Sequence, residues 1–193
     1  MKKLLFSLFL VALTVSLFAQ PVIDLGLKGG VNFSKMSLNF DDYTSESVTK
    51  SHFGAFARIG WGRIFIQPEA YFSGKGGDVT SDITNTLTSF DFSSVDIPVL
   101  LGVKIIKGKV FDLHAVAGPV FNAITTKKAM DGSMFNRESY KNNYFSMQYG
   151  LGVDVLFVTL DARFEQGLNY MYKQNGNSAS NNTFMISVGF KIL

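Results

Sequence analysis

Two features of the sequence, together with its opening segment, predict an all-β chain: an eight-stranded antiparallel up-and-down transmembrane β-barrel preceded by a cleaved signal peptide. Apolar and polar side chains alternate residue by residue in eight stretches after residue 20. The connections between those stretches run long, then short, in regular order. Long loops at one end and tight turns at the other are what a barrel crossing an outer membrane produces.

The opening segment sets the compartment. Lys2 and Lys3 precede an apolar run from Leu4 to Val15 and a small-residue exit at Ala19, the layout of a secretory signal peptide. The run is shorter than the ~20 apolar residues that span a bilayer as a helix. The expected division is therefore residues 1–19 as signal peptide and 20–193 as barrel domain, with Leu17 a poor match at the position three before the cut. With no cysteine, the chain has neither a disulfide framework nor a thiol for lipid attachment. Without Lys2 and Lys3, 16 basic side chains stand against 15 acidic ones. That near balance gives no electrostatic reason to expect nucleic acid as a partner.

A strand with one face in lipid and one in a polar lumen must alternate every residue, because successive side chains point to opposite faces. The first strand, about 22 to 34, sets Ile23, Leu25, Leu27, Val31 and Phe33 against Asp24, Lys28, Asn32 and Ser34. After a polar connection with Asp41, Asp42, Glu46 and Lys50, the second (about 51 to 60) sets Phe53, Ala55, Ala57 and Ile59 against His52, Gly54, Phe56 and Arg58. Gly60, Trp61 and Gly62 make the expected turn. The third, about 63 to 75, opposes Ile64, Ile66, Ala70 and Phe72 to Arg63, Gln67, Glu69, Tyr71 and Ser73. A loop to about Ser89 leads to the fourth, about 90 to 104, with Val95, Ile97, Val99, Leu101 and Val103 opposite Ser94, Asp96, Gly102 and Lys104.

A turn at Lys107, Gly108 and Lys109 leads to the fifth strand, about 110 to 124, where Phe111, Leu113, Ala115, Ala117 and Phe121 oppose Asp112, His114, Gly118 and Asn122. The next loop carries Lys127, Asp131, Arg137 and Lys141. The sixth, about 143 to 155, sets Phe145, Met147, Tyr149, Leu151, Val153 and Val155 against Ser146, Gln148, Gly150, Gly152 and Asp154. The seventh sets Val158, Leu160, Ala162 and Phe164 against Thr159, Asp161, Arg163 and Glu165. Beyond a soft loop from about Tyr170 to Asn182, the eighth sets Phe184, Ile186, Val188, Phe190 and Ile192 against Ser187, Gly189 and Lys191.

An even-stranded closed barrel leaves no unpaired edge, and at eight strands side chains just fill the interior. Alternation alone fits a soluble ligand-carrying barrel as well as a membrane one. Two features favour lipid on the apolar face: it carries almost no charge, and aromatics gather near strand ends. Trp61, Phe111, Phe157 and Phe190 lie low, and Phe33, Phe53, Phe72, Phe145 and Phe184 high. Prolines 68, 98 and 119 lack a ladder donor, so bulges and one-residue slips of face are expected at them.

The charges expected inside are Arg58, Arg63, Lys104, Arg163 and Lys191 against Glu69, Asp96, Asp112, Asp154, Asp161 and Glu165, mostly in the periplasmic half. Buried charges require partners, so an ion-paired plug of the lower lumen is expected in preference to a narrow solute channel. Catalysis has little to stand on. His52 is placed near the upper rim, and His114 shares a face with Asp112 two residues away, where a dyad is conceivable but a satisfied interior histidine is the plainer reading. No spacing suits a metal or other cofactor, and Gly26 to Gly30 is strand rather than a phosphate-binding turn. No catalytic, cofactor-binding or metal residue is assigned.

The chain resembles the PorT-type small outer-membrane β-barrel proteins abundant in Bacteroidetes. The similar stretches are Gly26-Leu27-Lys28-Gly29-Gly30-Val31-Asn32-Phe33-Ser34, Gln67-Pro68-Glu69-Ala70-Tyr71-Phe72 with Gly74-Lys75-Gly76, and Asp96-Ile97-Pro98-Val99-Leu100. Ala117-Gly118-Pro119, Tyr149-Gly150-Leu151-Gly152, Arg163-Phe164-Glu165-Gln166-Gly167-Leu168 and the ending Val188-Gly189-Phe190-Lys191-Ile192-Leu193 complete the set. The resemblance implies an eight-stranded barrel inserted by the outer-membrane assembly machinery. The family's named member is associated with protein secretion across that membrane, and most members have no assigned activity. Barrels commonly end in an aromatic assembly signal, whereas here Leu193 is last and Phe190 stands three before it.

The expectation is a non-enzymatic integral outer-membrane protein, a scaffold presenting four long extracellular loops. Its expected partners are outer-membrane lipids, the assembly machinery and, through the loops, secretion-system or surface proteins. The alternatives are a lipid-modifying enzyme built near His52, a narrow solute channel, and a soluble carrier.

Overall fold

The computed structural model describes residues 21–38, 43–81, 87–129, 143–168, 172–174 and 177–193. The expected signal peptide lies outside these, as do Asp41, Asp42, Asp131, Arg137 and Lys141 of the expected loops. The strands are β1 (Val22–Leu38), β2 (Tyr43–Glu46), β3 (Val48–Trp61), β4 (Ile64–Ser81), β5 (Leu87–Lys107), β6 (Phe111–Ala129), β7 (Asn143–Val155), β8 (Val158–Gly167), β9 (Tyr172–Gln174) and β10 (Asn177–Lys191). All pair antiparallel in one sheet, and β1 pairs with β10 to close it.

Ten segments make eight staves. β2 prolongs the β3 stave along β4, and β9 prolongs the β8 stave along β10. Several stretches expected as loop are thus ladder: residues 35–38, 76–81, 87–89, 125–129 and 177–182 extend strands beyond the alternating segments. In sequence these stretches are mostly polar or small residues, so the two-residue apolar signal fades where pairing continues.

Starting at Ile23 and stepping through direct partners leads to Ile59, Ile66, Leu101, Ala117, Tyr149, Phe164 and Phe184, then back to β1 at Phe33. One circuit therefore climbs from Ile23 to Phe33. This stagger tilts the strands by about 40°, within the usual range for a closed barrel.

Burial follows the pleat. Leu100 is 0% exposed and its neighbour Leu101 60%. Outside stand Leu25, Leu27, Ile64, Ile66, Val99, Val103, Leu151, Leu160, Ile186 and Val188; inside are Asn32, Gln67, Ser94, Asn122, Gln148 and Thr183. An apolar exterior around a polar interior is the membrane arrangement, the reverse of a soluble carrier. The upper aromatics meet as direct cross-strand partners: Phe33 with Phe184, Phe53 with Phe72, and Phe121 with Phe145, at 5.4–6.3 Å between ring centres. Such pairs each add roughly 0.2–1 kcal/mol to a sheet.

The prolines behave differently from expectation. Next to each one the ladder skips two pairs and resumes in the same register: Phe56↔Glu69 is followed by Ile59↔Ile66, Pro68↔Val99 by Tyr71↔Asp96, and Pro98↔Val120 by Leu101↔Ala117. A missing donor costs local pairing but adds no residue, so no face slips. The shifts fall elsewhere, at Ser93/Ser94 and at Lys104/Ile106.

At the short-turn end, Trp61 pairs with Ile64 and Val155 with Val158, leaving the two-residue turns Gly62-Arg63 and Leu156-Phe157. The first residue of each takes positive φ, 63° at Gly62 and 54° at Leu156. Gly60 and Trp61, expected in the turn, belong to β3.

Candidate functional site

The inward residues of the eight staves converge on one axial network. Its lowest tier joins Arg58 on β3 to Asp154 on β7, Nη1 to Oδ2 at 2.5 Å, and Lys191 adds a contact to the same oxygen at 3.1 Å. Arg58 Nε donates to Gln67 at 2.7 Å, and its guanidinium lies 4.5 Å from the centre of the Phe65 ring. That ring packs with Leu100 and Val116 in a small apolar cluster.

In the middle tier, Arg163 on β8 reaches Glu69 on β4, Nη1 lying 3.0 and 2.9 Å from the two carboxylate oxygens. Lys28 bridges Glu69 at 2.7 Å and Asp161 at 2.9 Å. Higher still, Lys75 on β4 contacts Glu165 on β8 at 2.5 Å and Asp96 on β5 at 2.9 Å, with Asn122 and Tyr144 as further acceptors at 3.0 and 3.3 Å. Gln148 ties the tiers together, donating to Glu165 and Tyr71 and accepting from Arg163.

In the ring of eight staves, β3 stands four places from β7, and β4 four places from β8. Arg58–Asp154, Glu69–Arg163 and Lys75–Glu165 therefore each cross the lumen from wall to wall. Lys28, Arg58, Lys75, Arg163 and Lys191 balance Glu69, Asp96, Asp154, Asp161 and Glu165. Pairing of this kind offsets a desolvation cost of several kcal/mol per buried ion.

Several expected positions change. Arg63 is not in the lumen: it is exposed at the turn and donates to the carbonyls of Lys104 and Ile105. Lys104 and Asp112 pair with each other at 2.6 Å near the short-turn rim. The network also climbs above the lower half, because Lys75, absent from the expected set, anchors its top tier. Lys28, on the polar face of the first strand, is the second lysine of the network outside the expected set. Both could have been found by projecting every lysine on the inward phase.

His114 does not join Asp112. Its Nε2 lies 3.2 Å from Asp161 Oδ1, in space left by Gly152, where a Cβ would come within 2.3 Å of both partners. His52 is buried inside the barrel rather than set at a rim. Its Nδ1 meets Asn32 Oδ1 at 2.7 Å and its Nε2 meets Ser187 Oγ at 2.9 Å. A hydroxyl, an imidazole and an amide in this order have the connectivity of a nucleophilic triad. Yet Ser187 is 2% exposed, His52 3% and Asn32 0%, and Asn32 is tied to Ser73 and the Gly74 carbonyl. The trio is thus held within the barrel interior by hydrogen bonds among its own members and their neighbours.

Residues 18–173 match the family model of the outer membrane protein beta-barrel domain. No curated protein matches the sequence. Among solved structures the chain is similar to Ail, the attachment invasion locus protein of Yersinia pestis, in complex with the heparin analogue sucrose octasulfate: 12% identity over 88% of this chain and 99% of that one, TM-score 0.45. It is also similar to Neisserial surface protein A, with 11% identity over 87% and 97% and a TM-score of 0.49. A third likeness is the outer membrane protease OmpT from Escherichia coli, at 8% identity over 88% and 96% with a TM-score of 0.48. Nothing of what those proteins do passes to this chain with these likenesses.

Proposed function

Because the chain belongs to the family of outer membrane protein β-barrel domains, we propose that it serves the outer membrane as a non-enzymatic scaffold whose closed barrel holds extracellular loops for contact with other proteins. The observation that carries this reading is the lumen. Three ion pairs cross it from wall to wall, and their carboxylates and cations are engaged with one another instead of lining a path. An interior committed to its own neutralisation leaves the connections outside the barrel to meet partners, and loops on a rigid frame commonly carry function.

A role in protein secretion is supported by the PorT-type stretches, Gly26 to Ser34 and Arg163 to Leu168 among them, which run through the strands that build the network. Insertion would follow the assembly machinery common to such barrels. The test is a photo-reactive amino acid in place of Asp131, followed by irradiation of whole cells. Repeated capture of one envelope or secretion protein, lost when the probe is moved to lipid-facing Leu101, is the expected result. Cross-links to lipid alone from both positions would overturn the scaffold reading.

A further inference from the structure

The short-turn rim carries a cluster of cations that the lumen does not use. Arg63 Nη1 donates to the carbonyls of Lys104 and Ile105 at 3.2 and 2.9 Å, and Lys107 Nζ donates to the carbonyl of Gly62 at 3.0 Å. The two side chains thus brace neighbouring turns against each other. Their partners are carbonyl oxygens, which hold a cation in place without cancelling its charge. Among the described residues no carboxylate lies within ion-pair distance of Arg63, Lys107 or Lys109, because Asp112 is taken by Lys104 and by the amide of Gly108.

The register shift at Lys104/Ile106 explains the geometry. A bulge at a barrel rim re-aims the groups around it. Here it presents two successive carbonyls to the Arg63 guanidinium and leaves Ile105 and Ile106 both exposed on the outer surface. Trp61 and Ile64 are exposed beside them on the adjoining β3–β4 hairpin. Arg63 and Lys107, held by carbonyl oxygens, lie at the edge of an apolar, tryptophan-bearing wall, Lys107 lining the cleft at the rim with Asp24 and Lys104. Cations beside apolar side chains are the chemistry that meets a lipid headgroup and its acyl chains.

We infer that Arg63 and Lys107, with Trp61, Ile64, Ile105 and Ile106 beneath them, form a binding site for an anionic phospholipid of the inner leaflet. The phosphodiester meets the two cations and the chains lie along the outward face of β4 and β5. This rests on the short turns facing the periplasm, as in outer-membrane barrels generally.

Trp61 is the one tryptophan of the sequence and so reports on this site alone. The experiment reconstitutes the folded protein in vesicles of phosphatidylcholine doped with brominated phosphatidylglycerol or, separately, brominated phosphatidylcholine, and follows quenching of Trp61. At low salt the glycerol lipid is expected to associate roughly fivefold more strongly per engaged cation. Arg63→Gln with Lys107→Gln should reduce the preference to about one, whereas Arg63→Lys with Lys107→Arg should keep most of it; band shift on heating in gels checks that each variant folds. Equal quenching by both lipids in the natural chain, or a preference that survives the double glutamine change, would overturn the site. Quenching by neither would place Trp61 outside the bilayer and remove the site with it. Displacement of the preference by millimolar inorganic phosphate would assign the cations to a free anion instead, and is not expected.

Discussion

Glu69 on β4 and Arg163 on β8 face each other across the barrel, the guanidinium Nη1 lying 2.9 and 3.0 Å from the two carboxylate oxygens and joining staves at opposite points of the ring. With Arg58–Asp154 below and Lys75–Glu165 above, the contact turns a polar lumen into a set of crossbars. A crossbar differs from a neighbouring-strand pair in what it restrains: losing it releases two walls rather than one side chain.

Lys75→Met removes the cation from both Glu165 and Asp96. Leaving buried charges without a partner costs about 3–5 kcal/mol, measured by urea unfolding of the barrel in vesicles. The double change Lys75→Met with Glu165→Gln should cost clearly less than the two single losses added, since it removes both members of the bar. Strict additivity would show that the pair is not coupled.

Phe65 and Gly102 are direct partners on β4 and β5, and a Cβ on Gly102 would sit 2.1 Å from the Phe65 ring. Gly102→Ala therefore overpacks the apolar cluster and should destabilise by about 1–3 kcal/mol. Shrinking the ring in Phe65→Leu should recover part of that loss in the double variant. Unchanged stability for Gly102→Ala would contradict this packing.

Leu100 and Leu101 separate the two solvents of the protein. Leu101→Arg places a charge in the lipid band and should cost about 2–4 kcal/mol near its middle. Leu100→Ala opens a cavity in the lumen and should cost about 2–5 kcal/mol. Detergent-to-vesicle comparison separates them: only the Leu101 variant should be rescued in detergent, and equal behaviour of both would reverse the assignment of faces.

Ser187, His52 and Asn32 have the order of a catalytic relay but are sealed inside. A fluorophosphonate probe should leave Ser187 unlabelled in the folded protein, and His52→Ala should leave cellular lipid composition unchanged. It should still lower stability by about 1–3 kcal/mol, because both ring nitrogens have partners that would be left unmatched. Labelling of Ser187 would make the trio an active site.

Much of this architecture is legible in the sequence because a pleated strand facing two solvents writes its geometry in alternate letters. The segment from Asn143 to Val155 shows it plainly: every expected outward residue from Phe145 to Val155 lies on the outer face of β7, and its bounds match. Phase survived Pro68, Pro98 and Pro119 because a missing hydrogen-bond donor skips pairs without adding residues. What stayed hidden is what depends on neighbours across space. Arg63 has the parity of a lumen residue, but a two-residue turn carries it to the surface. Lys75 has the inward parity of Glu69 and Ser73, but its partners on β5, β6, β7 and β8, through which it closes the upper tier, are encoded in no local pattern. The bulge at Lys104/Ile106 is equally silent, since Ile105 and Ile106 read as an ordinary apolar run.

The most direct test of a lumen closed by crossbars is single-channel recording of the purified barrel in planar bilayers. The natural chain should give a flat trace, while the combined change Glu69→Gln, Arg163→Met and Lys75→Met, in protein verified as folded, should raise the frequency of open events. Large, stable open steps from the unaltered protein would contradict the closed lumen.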